Sequence, residues 1–282
     1  MFYLALIYCM PALVWMWLYK LGSGWTWRLG WAFAGPAVYG IGFVLVAGVL
    51  SKQHQHAIIA GRFPRDMGNP IYFHRRLYGL CWTALFYCKP LYALCLAAPW
   101  LKWLTFRLFG YRGRMNFTVY PDTWIRDLPL LRFGQGAYVS NRATLGTNIA
   151  LANGQILVDR IELGDGALVG HLAMLAPGVR LGLRAEVAVG CAIGIGSVIG
   201  AGAKVLPTAA LEHGVVVCAR ATIGPMSFIG SKSVINEGIH LAGGSLLARR
   251  SVVSNRQDAS TCVSSATHHS DKGPRQETSH DE

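Results

Sequence analysis

Charge is what this sequence has least of. Only 14% of its residues are charged, against about 25% in soluble domains, while 52% are hydrophobic. An ordinary soluble protein is excluded on that ground. CxxC pairs are absent too, and the seven cysteines follow no disulfide-framework spacing. Three of them, Cys81, Cys88 and Cys95, recur every seven residues, which predicts buried thiols along one side of a helix and fits a reducing compartment. No RNA- or DNA-binding motif is present, so nucleic acid is not an expected partner.

The charge that does exist is unevenly placed. Residues 51–132 hold twelve Lys and Arg against three acids, whereas 133–247 hold seven against six. A basic segment beside an apolar one points to anionic lipid headgroups.

Two long runs lack charge altogether. Residues 2–19 (FYLALIYCMPALVWMWLY) and 29–50 (LGWAFAGPAVYGIGFVLVAGVL) are each long enough to cross a hydrocarbon core of about 30 Å as a helix. The intervening turn carries Lys20 and Arg28 and is ringed by Trp15, Trp17, Tyr19, Trp25, Trp27 and Trp31, the composition of an interfacial belt. A cleaved signal peptide would need a basic leading segment and a small-residue cleavage site, and neither is there. Lys52, Arg62, Arg65, Arg75 and Arg76 follow the second run, so the positive-inside rule puts everything after residue 51 in the cytoplasm, at a bacterial inner membrane. A third apolar region, 77–109, is broken by Lys89, Pro90 and Pro99. It reads as one or two helices lying in the interface, with Lys102, Arg107, Arg112 and Arg114 reaching toward headgroups. A third full span is the alternative, and it would move the remainder to the other side.

From Phe133 onward the period is six. Phe133, Val139, Leu145, Leu151, Leu157, Leu163, Val169, Leu175, Leu181 and Val187 begin a series that runs to Leu247 as twenty hexads, read here without insertion or slip. Two residues earlier the position is mostly small, as at Ala137, Ala143, Ala167, Ala173, Cys191, Ser197, Ala203 and Ser227. Glycine often follows the aliphatic residue, as at Gly164, Gly170 and Gly182, where it is expected to ease a corner. An α-helix would smear a six-residue stripe around its circumference. A solenoid of short parallel strands, each giving one aliphatic side chain to a central core, produces it directly.

This pattern resembles the hexapeptide-repeat family, [LIV]-[GAED]-x-x-[STAV]-x. The resemblance implies a mainly β fold, a left-handed parallel β-helix with three hexads per coil, or six to seven coils over 133–247. It also implies a trimeric acyltransferase using acyl-CoA or acyl carrier protein, with sites in the clefts between prisms. GRFPRDMGNPIYFHRRLYG, the apolar stretch at 80–105, RLFGYRG and the repeat further resemble the membrane-linked terminal modules of ε-poly-lysine-synthase-type peptide synthetases. Such modules often carry a histidine near the positions of Thr147 and Asn148, where this chain has none.

The candidate site residues follow from the register. His171, second after the core position Val169, should stand outside near an edge, where a neutral imidazole would serve as general base toward an acceptor's hydroxyl or amine. An exposed residue without duty is the alternative. His213 is a weaker candidate, on a different face because it lies seven hexads on. Only His171, His213 and His240 lie in the repeat, at three different places around the three-hexad coil, so no zinc site is expected. Lys204 and Arg220 are candidates for CoA phosphates, from the family's placement of the cofactor along later coils. Asp122 and Asp127 could orient a base or cap the loop that holds them. The glycines of GDGALVG and GIGSVIG belong to the repeat and mark no phosphate loop. There is no GxSxG elbow, and no HxxxxD.

The domain reading is two transmembrane helices (1–52), a basic linker with interfacial helices (53–115), the β-helix (116–248) and a disordered polar tail (249–282) containing His268 and His269. The function expected is a membrane-anchored acyltransferase with no permanently bound cofactor and acyl-CoA as co-substrate, acting on a hydroxyl or amine of an envelope sugar, lipid or peptide. The alternative is a non-catalytic scaffold in an envelope or peptide-synthesis assembly.

Overall fold

The computed structural model describes residues 2–255. Helices α1 (Phe2–Leu21) and α2 (Trp25–Lys52) pack together as a hairpin, and both are long and apolar enough to cross a membrane. Two indoles tie the hairpin near its turn. Trp15 Nε1 donates to the Trp31 carbonyl at 2.9 Å and Trp27 Nε1 to that of Leu18 at 3.2 Å.

Region 77–109 resolves into three helices, because proline ends one and starts the next. They are α3 (Pro70–Tyr87), α4 (Lys89–Ala97) and α5 (Pro99–Leu108). The Asn69 side chain caps α3 by accepting from the Tyr72 N–H at 3.1 Å. The chain bends by 87° between α3 and α4. Cys88 sits at that bend, so the three evenly spaced cysteines do not line one helix, although Cys81 and Cys95 are buried. One side of α3 packs on protein: Tyr78, Cys81, Trp82 and Leu85 are buried, and Trp82 Nε1 donates to the Ile125 carbonyl at 2.6 Å. Trp100 and Trp103 of α5 remain exposed. Lys102 and Arg107 are turned toward the protein instead of outward. Lys102 Nζ donates to the carbonyls of Met115 and Phe117, and Arg107 donates to those of Tyr111 and Gly113.

Beyond residue 116 the chain is a parallel β-solenoid with three faces. The first runs from Phe117–Val119 through Leu168–Val169 to His240–Leu241, and the second from Thr144–Leu145 through Met174–Leu175 to Leu246–Leu247. The third runs from Leu131–Phe133 through Arg180–Leu181 to Val252–Val253. The solenoid therefore begins before Phe133 and ends after Leu247, and is slightly longer than six to seven coils. Its last strand falls inside the expected tail, while 256–282, with His268 and His269, lie outside the described residues.

The hexad positions behave as the pattern requires. Val169, Leu175, Leu181 and Val187 are buried, as are the residues two places before them, Ala167, Ala173, Val179 and Ala185. Each rung donates to the next, as Gly170 N–H does to Val187 at 2.7 Å.

One part of the series does not belong to the solenoid. Strands stack 18 residues apart from Glu162 onward, but in the first coil Phe133 pairs with Leu163, Val139 with Val169 and Leu145 with Leu175, 30 apart. Two whole hexads are inserted, and the period conceals them because their length is a multiple of six. They form an antiparallel hairpin, Asn148–Ala150 with Gln155–Val158, which pairs with Gly61–Pro64 between α2 and α3. Leu151 and Leu157, read as core positions, are only half-buried there.

Candidate functional site

The corner at His171 is shaped by its neighbours. A Cβ on Gly170 would lie 2.6 Å from the Ala188 backbone of the next rung, so glycine is required for the close approach of rungs. The left-handed residue at the corner is Leu172, with φ of 59°. Arg184, Thr208 and Arg220 have the same conformation, so it is a property of these corners rather than strain peculiar to His171. Val169 is fully buried and His171 half-buried. Its backbone carbonyl accepts from the Gly190 N–H at 2.9 Å. Among the described residues the ring makes no hydrogen bond to another side chain or to backbone, which leaves its nitrogens available to a ligand.

His213 is differently placed, at a corner between the second and third faces. Its Nδ1 accepts from the Ile195 N–H at 3.1 Å, which puts the ring proton on Nε2. His240 lies on a first-face strand, paired in register with Thr222. The three histidines occupy separate places. Lys204 and Arg220 already face carboxylates: Lys204 is 3.4 Å from Glu186, and Arg220 is 2.5 Å from Glu237. Arg220 stands at the corner leading into the first face, whereas His171 stands at the corner leaving it. Three rungs separate the two, roughly 14 Å along the axis at about 4.8 Å per rung.

Neither aspartate orients a histidine. Asp122 pairs with Lys89 at 3.3 Å. Asp127 is fully buried, and its Oδ2 receives Arg75 at 2.7 Å, Thr147 at 2.7 Å and Asn148 at 3.2 Å. Burial pushes this carboxyl up, but Arg75, Arg126 and the Thr147 hydroxyl outweigh that and hold it below the ordinary range. Thr147 and Asn148, at the place where the narrower resemblance leads one to look for a histidine, thus serve to hold Asp127.

Two clusters escaped the sequence reading. One is this network, which joins α3, the loop before the first full coil and the start of the inserted hairpin. The other is His54, His56 and His74: Nδ1 of His54 lies 2.8 Å from Nδ1 of His74, and the Tyr3 hydroxyl is 2.9 Å from His54 Nε2. Burial, then the neighbouring His74 and His56, lower the pKa of His54. The HxH at 54–56 was a visible signal, but its partner at 74 is distant in sequence.

No protein-family model and no curated protein sequence matches the chain. Similar solved structures are acyl- and acetyltransferases. A GDP-perosamine N-acetyltransferase variant of Caulobacter crescentus, in complex with CoA and GDP-perosamine, is 20% identical over 47% of this chain and 52% of that one, with a TM-score of 0.22. The UDP-N-acetylglucosamine O-acyltransferase of Moraxella catarrhalis is 14% identical over 49% and 65%, with a TM-score of 0.25. The acetyltransferase domain of PglB from Neisseria gonorrhoeae, in complex with acetyl coenzyme A, is 19% identical over 54% and 63%, with a TM-score of 0.21. The chain spans about half to two thirds of these proteins' lengths. At such scores the likeness carries no argument, and the solenoid assignment rests on the strand ladder itself.

Proposed function

We propose that the chain is a membrane-anchored acyltransferase that moves an acetyl or acyl group from a CoA or carrier-protein thioester to a hydroxyl or amine of an envelope sugar, lipid or peptide. The observation that carries this reading is His171, a half-buried imidazole whose ring has no hydrogen-bond partner among the described residues, on a hexapeptide solenoid joined to two membrane-length helices. Its free ring nitrogen takes the acceptor's proton as the acceptor oxygen or nitrogen attacks the thioester carbonyl. The tetrahedral adduct then collapses, the C–S bond breaks, and the imidazolium proton goes to the departing thiolate. The backbone N–H of His171, which donates to no backbone carbonyl among the described residues, is a candidate donor to the oxyanion. Lys204 and Arg220 would meet CoA phosphates by exchanging their surface carboxylates, and His213 is the weaker base because its Nδ1 is engaged.

A trimer is part of the proposal. Met174, Phe228 and Leu246 on the second face are exposed, and a second copy seated there would close a cleft beside His171. The hairpin would anchor the protein with the solenoid on the cytoplasmic side.

The scaffold reading is favoured by a different observation. The place of the early histidine is taken by Thr147 and Asn148, both committed to Asp127.

The test is His171→Ala in the full chain, read as thiol release from acetyl-CoA alongside CoA binding. Turnover should fall about 10²–10⁴-fold with binding kept. Unchanged turnover would overturn the assignment, and an unaltered protein that binds no CoA would favour the scaffold.

A further inference from the structure

The outer side of α3 forms one wall of a cavity of about 530 Å³ that the acyl-transfer reading does not use. Leu4 and Tyr8 of α1 form another wall, and Arg126 enters from the loop before the first full coil. The contributing α3 residues run from Arg76 to Tyr87, roughly 17 Å at 1.5 Å per residue. Their chemistry is graded along that length. Arg76 stands at one end, and Arg126 lies against Gly79, where a Cβ would come within 2.1 Å of its guanidinium. Leu80, Ala84 and Tyr87 continue the wall as an apolar surface.

The positive end is not neutralised by the protein. Among the described residues Arg76 has no carboxylate within 4.0 Å, and Arg126 has only Asp127, whose Oδ1 is 3.9 Å from its Nε. That Nε is buried without a hydrogen-bond partner. At 3.9 Å the two do not hydrogen-bond, and Asp127 Oδ1 is itself buried without a partner, while its Oδ2 takes Arg75, Thr147 and Asn148. A single carboxylate thus faces Arg75 and Arg126, and Arg76 adds further positive charge. A phosphate oxygen in the cavity is a matching acceptor for the guanidinium groups of the two lining arginines.

We propose that this cavity binds an anionic phosphate-headed lipid with no cationic group balancing the phosphate, the phosphate between Arg76 and Arg126 and the acyl chain along Leu80, Ala84 and Tyr87 toward α1. A free phosphate would satisfy the arginines but leave the apolar length empty. A neutral lipid would fill the length but leave the arginines unmatched. The site rests on the bilayer placement of α1 and is independent of whether His171 transfers acyl groups.

The experiment is native mass spectrometry of the full chain in non-ionic detergent, with dioleoyl phosphatidic acid, dioleoyl phosphatidylcholine and inorganic phosphate as probes. One phosphatidic acid should be retained per chain, at least about tenfold over phosphatidylcholine. Arg76→Gln, at an exposed position, should lower retention about tenfold, and Arg76→Gln with Arg126→Gln more so. Leu80→Trp should also lower it, by filling the apolar length. Arg62→Gln with Arg65→Gln, basic but outside the cavity, should leave it unchanged. Equal retention of phosphatidylcholine, an equal loss in the Arg62/Arg65 variant, or displacement by millimolar inorganic phosphate would each overturn the proposal.

Discussion

The coils from Ile161 to Val253 and the first coil with its helices are built by opposite rules. In the later coils each strand hides one aliphatic, mostly with a small residue two places before it, and neighbouring rungs satisfy one another's backbone. Stability there is a sum of nearly identical interfaces. The first coil instead buries aromatics and charge. Phe117 and Phe133 meet at 4.6 Å between ring centres, and Arg75 and Asp127 are enclosed together. A repeat can only be read by what recurs. The cavity with Arg76 and Arg126 lies where the repeat stops recurring.

Substitutions on the two sides of this divide should separate them. Asp127→Ala leaves Arg75 buried without its counter-ion and is expected to cost about 3–5 kcal/mol, measured as a fall in denaturant midpoint. The same carboxyl gives the junction a pH dependence. Its folded-state pKa is depressed, so its contribution is complete above the ordinary carboxylate range near pH 4 and disappears as pH falls through the folded value. Acid titration of wild type against Asp127→Asn should show that loss only in the wild type.

Within the regular coils, Ile199→Ala removes a fully buried rung residue and should cost about 2–5 kcal/mol by the same unfolding assay. Leu157→Ala shares its hexad phase but lies in the inserted hairpin, and should cost about 1 kcal/mol or less. Equal costs at the two positions would erase the distinction between coil and hairpin. The smallest effect on the solenoid is expected from excising residues 148–159. Restoring the 18-residue spacing should keep its far-UV dichroism, while the strand at Gly61–Pro64 loses its partner.

Much of this architecture was legible because solenoid cores depend on local spacing. Val169, Leu181 and Ile199 fall inside as their hexad phase requires. The paired membrane-length helices were likewise visible as uncharged runs. The insertion was not, since two hexads preserve the phase that reveals them. Nor was the direction of Lys102, whose ammonium bonds the backbone after α5 and sits 3.9 Å from the centre of the Phe117 ring. A stem long enough to reach a headgroup is also long enough to fold back. For the candidate site, the outside corner at His171 could be inferred from register, whereas the Arg75–Asp127–Thr147 contacts join residues too far apart in sequence for any spacing rule to connect.

Cysteine cross-linking of neighbouring rungs tests the two-hexad excursion most directly. With Thr144 facing Met174, the pair Thr144→Cys and Met174→Cys should oxidise to a disulfide in the folded chain, while Thr144→Cys and Glu162→Cys should not. A bond in the second pair and none in the first would mean that the coils run on uninterrupted from Phe133, contradicting the account.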